Sequence, residues 1–284
     1  MIGLNYIAQH NKTTKNFNTG LVIIDRDFRF LDGMNISGIF LYDDYGGGLN
    51  NLLSANAALE YSIQIDRRHI ISLALQSGYI SSSTKPNDFH NRFNPEKNVN
   101  QGDTLKFTSK LFDLSAGLLL YSRDYFFGVS FYHINTPIDK SLPNGNNKVP
   151  FKFSGQIGTY INIRKRLKVI PSIVYQYQKE HLYLSSINDY LIEPLNDLTF
   201  SLDLFNDTLR FGIGYHYLLN MPEAYFAKVG IVFGAVEIVY EYGFSPYVIN
   251  QNKMINSFHN IGLDIRIRSK RLTGKFAPMG CPSF

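Results

Sequence analysis

The chain has 284 residues, of which 44% are hydrophobic and 14% aromatic. Only 18% are charged, below the roughly 25% usual for soluble domains. Its formal charge of +5 is spread along the chain without a dense basic patch interleaved with aromatic residues, which argues against nucleic-acid binding. The single cysteine, Cys281, excludes an intramolecular disulfide and a cysteine metal cluster.

Fourteen segments of the chain alternate apolar and polar residues with a period of two, the period of a β-strand whose two faces differ. Each segment is therefore predicted to form a strand, and the abundant Tyr and Phe favour such half-buried surfaces. In chain order, the predicted strands lie near residues 2–9, 17–30, 33–42, 51–65, 69–81, 111–121, 124–133, 151–164, 167–178, 197–205, 208–217, 224–233, 235–242 and 258–268.

The last two predicted strands show the alternation clearly. In 235–242, aliphatic and aromatic residues share one face, and Glu237 and Glu241 lie on the other. In the last strand, isoleucine and leucine alternate with polar residues that include Asp264 and Arg266. An apolar face opposite a charged face indicates lipid on one side of the strand and a wet lumen on the other.

No apolar run approaches the about 18 residues that a membrane-spanning helix needs. Only helices and closed barrels satisfy their own backbone groups within a bilayer. We therefore predict an all-β protein, an antiparallel transmembrane β-barrel of about 14 strands. Alternating strands also build soluble sandwiches and barrels, but there the outer face is expected to be densely charged.

The connectors between the predicted strands are sorted by length. After even-numbered strands they are turns of a few residues, such as 66–68. After odd-numbered strands most are longer loops, such as 82–110, 134–150 and 179–196. This sorting is typical of outer-membrane barrels, whose short turns face the periplasm and whose long loops face the outside.

We predict one barrel domain, residues 1–270, and a periplasmic tail, residues 271–284. An even number of strands returns both termini to the periplasmic rim. No secretion signal precedes the first predicted strand at Ile2. Because an exported barrel requires such a signal, we interpret this start as mature-like or truncated.

Five tracts of the chain carry a family resemblance. They are residues 38–46, 198–204, 209–217, 259–266 and 281–284. Through these tracts, and through the order and spacing of its strands, the chain resembles the PorP/SprF family of outer-membrane proteins of the type IX secretion and gliding system of Bacteroidota. The 209–217 tract ends in His216-Tyr217, where the family has Tyr-Arg.

The resemblance implies a barrel in the bacterial outer membrane that is needed for secretion or surface attachment of proteins bearing type IX sorting domains. It also implies association with periplasmic ring components of the machine. The family's N-terminal motif, similar to N-P-A-Y-A-G, is missing from this chain.

The sequence nominates no catalytic, cofactor-binding or metal-binding residue. Glycines 46–48 lack the following Lys-Ser/Thr of a phosphate-binding loop, and no Gly-x-Ser-x-Gly elbow occurs. The seven histidines are dispersed without the spacing of metal ligands: His10, His69, His90, His133, His181, His216 and His259. We therefore predict that the protein is not an enzyme and needs no cofactor.

Charged residues on the predicted lumen face could form a selectivity ring or could pair with one another across strands. Both signs occur on neighbouring strands, which favours pairing. The residues are Glu60, Asp113, Lys152, Arg164, Lys168, Asp203, Arg210, Lys228, Glu237, Glu241, Asp264, Arg266 and Arg268.

The sequence thus predicts a non-enzymatic outer-membrane barrel of the type IX machinery that works by binding partner proteins. Its expected partners are membrane lipid, periplasmic ring proteins and secreted or surface-anchored cargo, with no nucleic acid. The loops 82–110 and 134–150 are expected to face cargo. The alternative is a porin-like barrel that transports small molecules.

Overall fold

A computed structural model describes twelve stretches of the chain. They are residues 1–10, 17–27, 33–45, 50–85, 107–139, 147–164, 166–184, 189–218, 224–245, 248–249, 252–253 and 256–266. No helix within these stretches is long and apolar enough to cross a membrane.

Fourteen antiparallel strands form the wall of a barrel. Each strand pairs with the next along the chain, and the last strand pairs with the first, so that Ile2 lies opposite Ile265. The strands are β1 (Ile2–His10), β2 (Phe17–Asp27), β3 (Met34–Tyr45), β4 (Asn50–Gln64), β5 (Ile70–Thr84), β6 (Phe107–Tyr121), β7 (Tyr125–Tyr132), β8 (Lys152–Thr159, continued by Ile161–Arg164), β9 (Leu167–Leu184), β10 (Asp189–Asn206), β11 (Leu209–Leu218), β12 (Ala224–Phe233), β13 (Val236–Ser245) and β14 (Asn256–Ile265). The predicted fold, with its 14 strands, is confirmed.

The two faces of the wall are those that the alternation predicts. Large apolar side chains point outward, among them Leu75 (69% exposed) and Ile213 (62% exposed). Polar side chains point inward and are buried, among them Ser72 and Asp203. This distribution inverts that of a soluble protein, because hydrocarbon replaces water around the barrel.

Short turns and both described chain ends lie on one edge of the barrel, here called the short-turn rim. The amino group of Met1 donates a hydrogen bond to the carbonyl of Asp25 (2.6 Å), and the N–H of Arg266 donates to the carbonyl of Ala235 (2.7 Å). The opposite edge is the long-loop rim. Two short hairpins lie in its connectors, Ile138–Asp139 with Asn147–Lys148 and Val248–Ile249 with Asn252–Lys253.

The prediction of a loop over residues 179–196 is wrong. β9 and β10 stay paired from Leu167 opposite Asn206 to Leu184 opposite Asp189, so the connector is a long two-stranded ribbon. The apolar-polar alternation fails there because three large apolar or aromatic residues, Leu182, Tyr183 and Leu184, are consecutive. The backbone hydrogen bonds between the two strands hold the ribbon together, and they do not require an alternating sequence.

Candidate functional site in the barrel interior

Five charged side chains on the inner wall form a connected group of ion pairs, here called the lumen charge cluster. Lys228 Nζ lies 2.9 Å from Asp203 Oδ2, and Arg210 Nη2 lies 3.5 Å from the same oxygen. Arg210 Nη1 lies 3.4 Å from Glu237 Oε1, and Arg266 Nη2 lies 2.9 Å from Glu237 Oε2. The two carboxylates are thus bridged by Arg210.

The strand register brings these side chains together. Asp203 on β10, Gly212 on β11 and Lys228 on β12 lie directly opposite one another, and Glu237 on β13 lies opposite Asp264 on β14. Residues directly opposite across an antiparallel pair share a face. The cluster therefore forms a row along the inner wall, close to the short-turn rim.

Burial explains why the charges are paired. The side chains of Asp203 and Glu237 are 6% and 3% exposed, and those of Arg210 and Lys228 are each 14% exposed. A charge removed from water is costly unless a partner and hydrogen bonds compensate it. Because both signs alternate within the row, the cluster supports mutual pairing over a selectivity ring of one sign.

Other residues of the predicted lumen face lie away from the cluster. Asp113 Oδ1 is 2.9 Å from His133 Nδ1 near the end of β7. Lys152 Nζ lies 5.7 Å from the ring centre of Tyr132, a cation–π arrangement. Glu60 lies on the inner face of β4, two strands away from Asp113.

The remaining predicted residues lie beside the cluster, at the short-turn rim or outside the described residues. Glu241 lies opposite Lys228, next to the cluster. Arg164 and Lys168 flank the turn between β8 and β9 and are exposed at the short-turn rim. Arg268 lies outside the described residues.

Inward-facing aromatic residues were not anticipated from the sequence. Phe126 and Phe226 are 3% and 6% exposed. The Phe126 ring covers Gly158 on β8, and the Phe226 ring covers Gly214 on β11, where a Cβ atom would collide with it. The signal was present, since Phe126 falls on the same face as Gly128 and Ser130, a polar face of small residues with room for a ring.

The described residues contain no group of three or more His, Cys, Asp or Glu side chains that could hold a metal ion. The charged groups of the lumen charge cluster bind one another as structural ion pairs.

A closed antiparallel barrel with an apolar exterior, a charge-paired interior and connectors sorted by length defines a bacterial outer-membrane β-barrel protein. The toluene transporter TodX of P. putida matches the fold with a TM-score of 0.53 and 10% identity, over 94% of this chain and 89% of that chain. The monoaromatic hydrocarbon channel CymD matches with a TM-score of 0.51 and 11% identity, over 94% and 88%. At such identity the likeness concerns the fold alone.

The sequence model of the type IX secretion system membrane protein PorP/SprF family matches residues 1–263. The chain therefore belongs to this family, and the resemblance found in its sequence is confirmed. No curated protein matches the chain.

Proposed function

We propose that this outer-membrane barrel supports secretion or surface attachment of cargo by binding partner proteins at its two rims, without catalysing a reaction. Membership of the type IX secretion family supplies the setting. In this proposal the short-turn rim and both termini face the periplasm and the ring proteins of the machine. The long-loop rim faces cargo at the cell surface.

Burial of the inward-facing side chains is the observation that carries this proposal. Glu237 and Phe126 are each 3% exposed and Asp113 is 5% exposed, although all three point into the barrel. Water would wet such side chains in a wide channel. Inward side chains that pack and pair along the wall suit a scaffold that holds partners better than they suit a pore.

The ribbon of β9 and β10 supports binding at the long-loop rim. β8 pairs with β9 only as far as Gln178, and β11 pairs with β10 only as far as Asp197. Beyond these residues each strand of the ribbon has one edge without a partner strand among the described residues. Unpaired strand edges accept extended polypeptides by adding a strand.

Transport of a small molecule is the second candidate function. It is favoured by the fold shared with a toluene transporter and a hydrocarbon channel, although fold alone does not carry function. Conductance in planar bilayers separates the two candidates. Partner binding predicts no steady large current for the wild type, and such a current would favour the transporter.

Site-specific photocrosslinking in intact cells tests partner binding directly. A photoreactive residue replaces Lys179 at the base of the ribbon or the exposed Arg166 on the short-turn rim, and Leu75 on the lipid-facing wall is the control. We expect protein adducts from the first two positions and none from Leu75, identified by mass spectrometry. If neither rim position gave a protein adduct, the result would contradict the proposal.

A further inference from the structure

Three arginines from two neighbouring turns surround an open pocket on the short-turn rim. Arg67 and Arg68 belong to the turn between β4 and β5, and Arg123 belongs to the turn between β6 and β7. The pocket has a volume of about 470 Å³, and Asp124 completes its lining. The guanidinium groups outnumber the single carboxylate, so the pocket carries a net positive charge.

The arginines of this pocket have no ion-pair partner within the part of the chain that the structure describes. None of the ion pairs formed by the described residues includes Arg67, Arg68 or Arg123. Asp66, which precedes Arg67 in the sequence, is occupied by His69 Nδ1 at 2.8 Å and by the N–H of Arg68 at 2.7 Å. Three guanidinium groups around one space, without an ion-pair partner among the described residues, match the oxygens of a phosphate group.

Lipid-facing apolar surface borders the pocket. Ile63 and Ile65 at the end of β4 are 44% and 57% exposed, and Tyr125 at the start of β7 is 40% exposed. The Tyr125 ring lies 5.8 Å from the ring of His69, which joins the two turns on this outer side. A soluble anion would make no contact with such an apolar surface. A phospholipid would, because it joins a charged headgroup to apolar chains.

We propose that this pocket binds the phosphate-bearing headgroup of an anionic phospholipid in the adjoining leaflet. The three arginines hold the phosphate, and the acyl chains lie along Ile63, Ile65 and Tyr125. Basic pockets at the membrane surface recognise anionic lipids in this way. A bound lipid would fix the depth of the short-turn rim in the bilayer.

Native mass spectrometry of the detergent-solubilised full chain with phosphatidylglycerol tests the assignment. The triple variant Arg67→Gln/Arg68→Gln/Arg123→Gln should bind phosphatidylglycerol at least about tenfold more weakly than the wild type. Arg166→Gln is the matched control, because Arg166 lies in the next turn of the same rim, is 82% exposed and pairs with Asp207. It should bind as the wild type does, and unchanged binding by the triple variant would overturn the proposal.

Two further measurements separate lipid from a free anion and from misfolding. Inorganic phosphate or glycerophosphoglycerol, the headgroup without chains, should fail to displace phosphatidylglycerol at equal concentration. Displacement would assign the pocket to a soluble anion and overturn the lipid assignment. If the triple variant loses heat-modifiable gel migration, the single variant Arg123→Gln replaces it, with a smaller loss of binding expected and unchanged binding again contradicting the proposal.

Discussion

Lys228 and Asp203 form an ion pair of 2.9 Å although β11 separates their strands. Gly212 is the residue of β11 that lies between them in register. A Cβ atom at this position would collide with the Asp203 carboxylate and with the Lys228 side chain. The missing side chain of Gly212 therefore allows an ion pair between strands that are not neighbours.

Gly212→Ala should separate Lys228 from Asp203. We expect it to lower the free energy of unfolding by about 1–3 kcal/mol, because the added methyl group overpacks the inner wall. Urea unfolding of the protein in lipid vesicles measures the change. Gly20→Ala is the control, since a Cβ atom at Gly20 would meet no atom within 4 Å. Equal effects of the two substitutions would contradict the role of Gly212.

Glu237→Gln should destabilise the barrel strongly, because it leaves Arg210 without its second carboxylate partner in a buried site. Loss of one member of a buried pair costs about 3 kcal/mol or more. The control is Asp207→Asn at the pair with Arg166, whose side chains are 64% and 82% exposed, 3.5 Å apart. There we expect a change of less than about 1 kcal/mol. Similar unfolding midpoints for both variants would show that the buried ion pairs of the cluster do not stabilise the barrel more than an exposed pair does.

Leu75→Arg should lower the stability of the barrel in lipid vesicles by about 2–4 kcal/mol, because Leu75 faces lipid near the middle of β5. Gln76→Arg, on the same strand but facing the lumen, is the matched comparison and should cost less. In a soluble protein an exposed Leu75→Arg would be nearly neutral. A neutral result in vesicles would argue against membrane contact at this face.

Asp66 should stay ionised to unusually low pH. The side-chain hydrogen bond with His69, and next the hydrogen bond from the N–H of Arg68, lower the pKa of Asp66 from 3.8 to about 2. Because folding lowers this pKa, the ionised Asp66 stabilises the folded state. This contribution to stability is complete above pH 3.8 and is lost as the pH falls through about 2. NMR titration of the Asp66 carboxyl carbon in detergent micelles measures the midpoint.

His69→Ala should raise that midpoint towards 3.8, the value of an unperturbed carboxyl group. The control is His259→Ala, since His259 bonds to Tyr240 on the barrel wall, away from this turn. A wild-type midpoint already near 3.8 would show that the turn does not hold the carboxylate as described.

The sequence alone determined the strands, their number and the barrel with its apolar side chains outside and polar side chains inside. The evidence was the period of two, the apolar outer faces and the sorting of the connectors by length. Each is a local property, because the pleat itself places successive side chains on opposite faces. The alternation also put Asp203, Arg210 and Lys228 on the lumen face. It did not extend β9 and β10 to Leu184 and Asp189, since the side-chain pattern breaks down before the backbone pairing does.

Only the tertiary structure decided which residues meet. Arg67 and Arg123 are 56 positions apart in the sequence, yet they share a pocket because β5 and β6 pair side by side. Lys228 reaches Asp203 because the hydrogen-bond register sets Gly212 between them. Register depends on the backbone bonds between strands and on the closure of the barrel, and a repeating pattern within one strand does not encode either of them.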